Sequence, residues 1–237
     1  MKLRAEITAK EQLSAALAID AFEYIYAPME FLGAKIQEKP RIIAVPPVFL
    51  GGNEAKIANE LRKLKQAGFE SALAHTLGHI GLIVSAGLIP RGGFRLNITN
   101  SSALKQYEEL GLADSIFSVE LSLRSIEKIE RNISVGIMAY GHMPLMLLRR
   151  CPVCDDKPCG KSGCKALTDR LGNKFQTYCR QGEIEVLNPI PLVVSEFSAD
   201  FAVLRFSPGE KITENPDVGA HSVRPNFTRG LYNRRVK

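Results

Sequence analysis

The residues best suited to chemistry in this 237-residue chain are its cysteines, and all five fall between Cys151 and Cys179. They are Cys151, Cys154, Cys159, Cys164 and Cys179. A soft metal needs this clustering, because polarisable thiolates must converge on one point. Cys151-Pro-Val-Cys154 has the spacing of a metal knuckle. Cys159 and Cys164 follow in a short loop that carries Gly160 and Gly163 and can turn tightly. Four of the five thiolates would hold zinc or an iron–sulfur cluster, and spacing alone does not separate the two. Disulfides fit less well, since the count is odd and nothing suggests secretion. Inert buried thiols are the remaining reading.

Histidines offer less. His75 and His79 stand at i, i+4, but no Glu follows His75, so the zinc-peptidase pattern His-Glu-x-x-His is absent. There is no Gly-x-Ser-x-Gly either. His142 lies nine residues before Cys151 and would serve as its base only if the fold joined them.

Composition sets the frame. At 45% hydrophobic residues the chain can bury one sizeable core. No run of about 18 apolar residues predicts a membrane span. The charged opening Met1-Lys-Leu-Arg-Ala-Glu6 does not read as a signal peptide, so a cytoplasmic location with reduced thiols is expected. The net charge of +6 is concentrated in residues 149–180 and in the tail 221–237, which has five Lys/Arg and no acid. Such segments suit a polyanion, and Phe227 and Tyr232 among the tail's cations could stack on bases, so RNA is a candidate partner.

The elements that must position these groups alternate. Strand-like runs are Leu3–Ile7, Tyr24–Ala27, Arg41–Val45, Phe69–Ala74, Phe94–Ile98, Asp114–Val119, Ser134–Tyr140 and, after the cysteines, Pro191–Val194 and Phe201–Phe206. Helical spacing appears over Lys10–Ile19 with Thr8 as N-cap. It appears again over Asn53–Ala67, Leu77–Ala86, Asn100–Leu110 and Ser122–Arg131, and a short helix is expected up to Lys35. This order predicts an α/β chain with parallel strands. A TIM-like (β/α)8 barrel is the simplest closure and an open doubly wound sheet the alternative. The domain reading is a single barrel over 1–237, a cysteine-rich metal-binding insertion after strand seven (145–183) and a basic tail (221–237). A barrel puts its chemistry at the C-terminal strand ends. Glu6, His75, Asn97, Glu120, Tyr140 and His142 sit there, and the insertion would hold its metal over the same mouth.

Several stretches resemble the peptidase U32 family. They are Leu96-Asn-Ile98 with Asn100, Phe117-Ser-Val-Glu-Leu-Ser122, Ala139-Tyr-Gly-His-Met-Pro-Leu-Met146 and Arg150-Cys-Pro152. Leu3–Glu6, Tyr24–Pro28, Leu167–Gly172, Asn188–Leu192 and Thr228–Tyr232 fit the same pattern. The resemblance implies a TIM-barrel-like fold. It implies either a peptidase or a hydroxylation protein for RNA or ubiquinone, some of which carry a [4Fe–4S] cluster on four cysteines. The family's cysteines correspond best to Cys151, one or both of Cys159 and Cys164, and Cys179. A later family cysteine has no counterpart, and Cys154 would substitute for it. A second U32-family chain is an implied partner. On this reading Asn97, Glu120 and His142 are the catalytic candidates, and Tyr140 and Arg170 line the pocket. The expected activity is iron–sulfur-dependent hydroxylation of RNA or a small aromatic. A peptidase and a zinc-stapled binding module without catalysis are the alternatives.

Overall fold

The computed structural model describes residues 2–152, 164–180, 182–194 and 198–215. Cys154, Cys159 and the basic tail 221–237 lie outside them.

Eight parallel strands close on themselves. They are β1 (Lys2–Ile7), β2 (Phe22–Pro28), β3 (Ile42–Val45), β4 (Ser71–Ala74), β5 (Ile89–Gly92), β6 (Asp114–Ile116), β7 (Ser134–Gly141) and, later in the chain, β13 (Phe201–Phe206). Closure comes from β13, which pairs with β1 on one side and β7 on the other. Helices α1 (Gln12–Leu17), α2 (Glu54–Gln66), α3 (Leu77–Ser85), α4 (Ser101–Glu109) and α5 (Leu123–Ile126) fill the connections. The apolar stripe Ile57, Leu61 and Leu64 of α2 is buried, as its spacing requires. Gln66 and Ala67 end that helix before Gly68, which takes φ +98°. The expected closed barrel is therefore the observed architecture, and the open sheet is not.

Between β7 and β13 the chain builds a second sheet. Its strands β8 (Pro144–Leu148), β9 (Cys164–Thr168), β10 (Lys174–Arg180) and β11 (Glu183–Leu187) are antiparallel, in the order β8-β11-β10-β9. β12 (Leu192–Val193) then runs antiparallel to β7.

Some expected elements differ. Strand five is Ile89–Gly92, not Phe94–Ile98, where Phe94–Leu96 makes a single 3-10 turn. Gly92 makes that strand fit, because a Cβ there would lie 2.3 Å from Ser115 Oγ of β6. Thr8 is not a helix cap. Its hydroxyl donates to Phe206 O at 2.7 Å, while Gln12 Oε1 accepts from the Thr8 and Ala9 amides. The helix expected up to Lys35 is only the 3-10 turn Met29–Phe31, and the Ser122 helix stops at Ile126 instead of Arg131. Pro191–Val194, read as strand-like, pairs as the short antiparallel β12.

The lower half of the barrel is filled by charge. Arg4 of β1 meets Asp114 Oδ2 at 2.8 Å, and Arg91 of β5 meets the same oxygen. Arg4 also donates to Tyr26 OH at 3.0 Å and lies over the Phe201 ring at 3.4 Å. The pairing is needed, because an isolated charge at this depth would be driven neutral or out of the core. Phe201 in turn fits only because Gly136 faces it, where a Cβ would come 2.1 Å from the ring. Gly136→Ala should therefore lower stability by about 1–3 kcal/mol through overpacking. Urea unfolding of the two proteins checks this, and equal midpoints would contradict the packing described.

Candidate active site at the barrel mouth

The insertion sheet covers the C-terminal end of the barrel. Side chains alternate along a strand, so one face of β10 and β11 carries Tyr178, Arg180, Glu183 and Glu185 together, matched in register as Tyr178 with Glu185 and Arg180 with Glu183. That face docks on the mouth. Tyr178 OH donates to Thr8 O at 2.5 Å. Arg180 Nε donates to Glu30 Oε1 at 3.0 Å, and its Nη2 donates to Val45 O. Glu183 accepts from the Phe49 amide.

The centre is an ion network shared by barrel and insertion. Arg205, from the end of β13, donates through Nε to Glu6 Oε1 of β1 at 2.9 Å. Its Nη1 donates to His142 O at 3.1 Å, and its Nη2 to Glu185. The second Glu185 oxygen accepts from Arg95 Nη2 at 2.5 Å. Burial alone would raise the Glu185 carboxyl, but Arg205 and Arg95 outweigh it and hold the group below its ordinary range. Burial also acts on Glu183 and raises it, and there the Phe49 and Val48 amides and the charge of Arg180 pull the other way without outweighing it.

His75, 6% exposed at the end of β4, completes the wall. Burial first, then the positive charges of Arg95, Arg180 and Arg205 together with His79, push its pKa well below the usual imidazole range, so it is neutral. Its Nδ1 has no hydrogen-bond partner among the described residues. These groups enclose a cavity of about 20 Å3. That is room for roughly one water.

A structure described as the U32 peptidase Mk0906 superposes with a TM-score of 0.53, covering 89% of this chain and 94% of that one at 10% identity. At that identity the likeness is one of fold. No family model and no curated protein matches the chain. Among the described residues, no helix is long and apolar enough to cross a membrane.

The mouth gathers only some of the residues expected there. Glu6 and His75 line the cavity. His142 joins through its carbonyl, while its ring Nδ1 pairs with Asn188 O at 2.7 Å. Asn97 and Glu120 are exposed and do not line the cavity. Asn97 adopts φ +53°, a left-handed turn that asparagine tolerates better than most residues. Tyr140 hydrogen-bonds Glu210, away from the cavity. Arg170 sits in the exposed turn between β9 and β10. The groups missed by sequence reasoning are Arg95, Arg180, Glu183, Glu185 and Arg205. Arg205 did leave a signal: it is the one charge in the apolar run Phe201–Phe206, at its C-terminal end.

The cysteines are arranged by the insertion sheet. Cys179 lies between Tyr178 and Arg180 in β10, so it falls on the sheet's other face, opposite Ile184 in register. Cys164 pairs in register with Thr177, two residues before Cys179. Cys151 follows the end of β8, whose Leu148 pairs with the same Ile184. Among the described residues, no cluster of three or more His, Cys, Asp or Glu able to hold a metal ion is found.

The two acids have opposite pH signatures. Glu185 is held below its unfolded value of 4.5, so its contribution to stability is present above that pH and is lost as the pH falls through the lower folded value. Glu183 is raised above 4.5, so the folded chain binds more protons in that window and loses stability as the pH rises through it. Glu185→Gln should flatten the acid limb of a stability–pH curve, and Glu183→Gln should raise stability at neutral pH. Urea unfolding across the acid-to-neutral range reads both, and an unchanged acid limb in Glu185→Gln would contradict the network. Glu185→Ala, which leaves two guanidinia short of a partner, should cost about 3–5 kcal/mol.

Proposed function

We propose that this chain is a hydroxylation-type modification enzyme, or a subunit of one, acting on RNA or a small aromatic at the barrel mouth with an iron–sulfur cluster on four of its five cysteines. Zinc is the alternative metal. The observation that carries the reading is the position of Cys179 in β10, one residue from both Tyr178 and Arg180. A group held by Cys179 would lie one strand's thickness from the cavity. Clustered thiolates suit a soft centre in their chemistry. Cys179 in β10 and Cys164 in the adjacent β9 share one pair of strands, while Cys151 follows β8 at the opposite edge of the same sheet. When bound, the cluster would supply one-electron redox chemistry.

The chain's own residues would do the rest. Neutral His75 would offer an uncharged hydrogen-bonding wall, and Arg95 and Arg205 would orient an acidic or polar substrate. The closed insertion would keep water from the reacting atoms.

A peptidase is the second reading, favoured by the description of the structure with the similar fold. The hydroxyl–imidazole contact at this end of the barrel, Thr76 Oγ1 to His79 Nδ1 at 2.8 Å, argues against a simple dyad. It closes the cap of α3, and His79 is fully buried with its other nitrogen on Pro47 O.

Protein purified without air should show broad visible absorption with iron and sulfide bound, and Cys179→Ser should lose both. Full iron in Cys179→Ser, or stoichiometric zinc in place of iron, would remove the redox reading. Casein hydrolysis by the pure chain that disappears in Cys151→Ala would favour the peptidase instead.

A further inference from the structure

Glu185 is held in an unusual way. Its two oxygens are taken by two different arginines, Oε1 by Arg95 and Oε2 by Arg205. Both arginines belong to the barrel, Arg95 in the turn after β5 and Arg205 at the end of β13, whereas Glu185 belongs to the insertion. The glutamate side chain is 13% exposed, at the edge of the cavity. Two rigid guanidinium forks converging on one carboxylate make a recognition geometry, not merely a charge balance.

We propose that the barrel mouth is a binding site for a small monocarboxylate and that Glu185 is its resident occupant, displaced when the insertion sheet moves aside. The inference rests on the reading of the mouth as the substrate site. It does not depend on which metal the cysteines hold.

Charge selects the ligand class. Arg205 is already half-compensated by Glu6, so the pair of arginines accepts one negative charge and not two. A monocarboxylate replacing Glu185 leaves that balance unchanged, whereas a phosphate dianion would crowd Glu6. Arg180 and Glu183 also line the cavity, Arg180 paired with Glu30 and Glu183 with the Phe49 amide; the rest of the wall is apolar or neutral, with Pro28, Val45, Val48, Phe94 and His75. It suits a hydrocarbon or aromatic body attached to the carboxylate. Size requires exchange, since the cavity of about 20 Å3 cannot take such a ligand beside Glu185.

The test is calorimetric titration of the full chain, as purified, with benzoate at fixed ionic strength. Chloride and inorganic phosphate serve as comparison anions, and iron and zinc are assayed on the same samples. Benzoate should bind Glu185→Gln at least about tenfold more tightly than the parent chain, and adding Arg95→Met should remove the gain. Glu185→Asp, whose shorter arm reaches the clamp less well, gives a second reading if Glu185→Gln does not fold, and should show a smaller gain. The proposal is overturned if neither variant gains affinity, if phosphate or chloride gains equally, or if the gain survives Arg95→Met. A gain in protein without iron leaves this inference standing while the redox reading falls. Loss of the gain in iron-loaded protein does the reverse.

Discussion

A guanidinium that has been removed from water must have its donors met, and Arg205 is the group on which this requirement falls hardest. Its three acceptors come from the first barrel strand, the turn after the seventh and the inserted sheet. No two of them are neighbours in sequence. Charge burial is costly unless geometry and hydrogen bonding are both good, so the position of Arg205 constrains three parts of the fold at once. The closed cap, the depressed Glu185 carboxyl and the narrow cavity all follow from satisfying it.

The barrel is charged at both levels, but for different ends. Below, Arg4 and Arg91 share one oxygen of Asp114 between aromatic faces from β2 and β13, and every partner belongs to the barrel itself. That cluster makes a plug. Above, the partners are divided between barrel and insertion, so the same kind of interaction becomes a joint. Apolar layers usually fill such barrels. Here salt bridges do so, and they fix register at the cost of tolerance to substitution.

Much of the barrel could be read in advance because alternating strands and amphipathic helices have distinct periods. α2 is legible from Ile57, Leu61 and Leu64 alone. Strand five was misplaced because Pro90 and the Gly92-Gly93 pair look like loop residues, and only the proximity of Ser115 shows why glycine belongs there. At the site, Glu6 and His75 stood out as polar ends of apolar strands. Arg95 was hidden within the misplaced strand. Arg180, Glu183 and Glu185 were hidden by the insertion, whose antiparallel pairing no local pattern announced. Asn97 misled for a reason of its own: an asparagine near the end of a strand-like run suggests a ligand contact, when the backbone simply needed a left-handed turn.

The order in which the barrel strands leave the ribosome has a consequence. Until Phe201–Phe206 is made, seven strands are in place with β1 and β7 as open edges, and the last strand must fit between partners some 200 positions upstream and some 65 upstream. Pairings that distant are slow to form. Through that interval the nascent chain carries two unguarded β edges, which are templates for pairing with another molecule. Synthesis of this fold thus passes through a stage at which assistance from chaperones matters most, and it ends with a single strand.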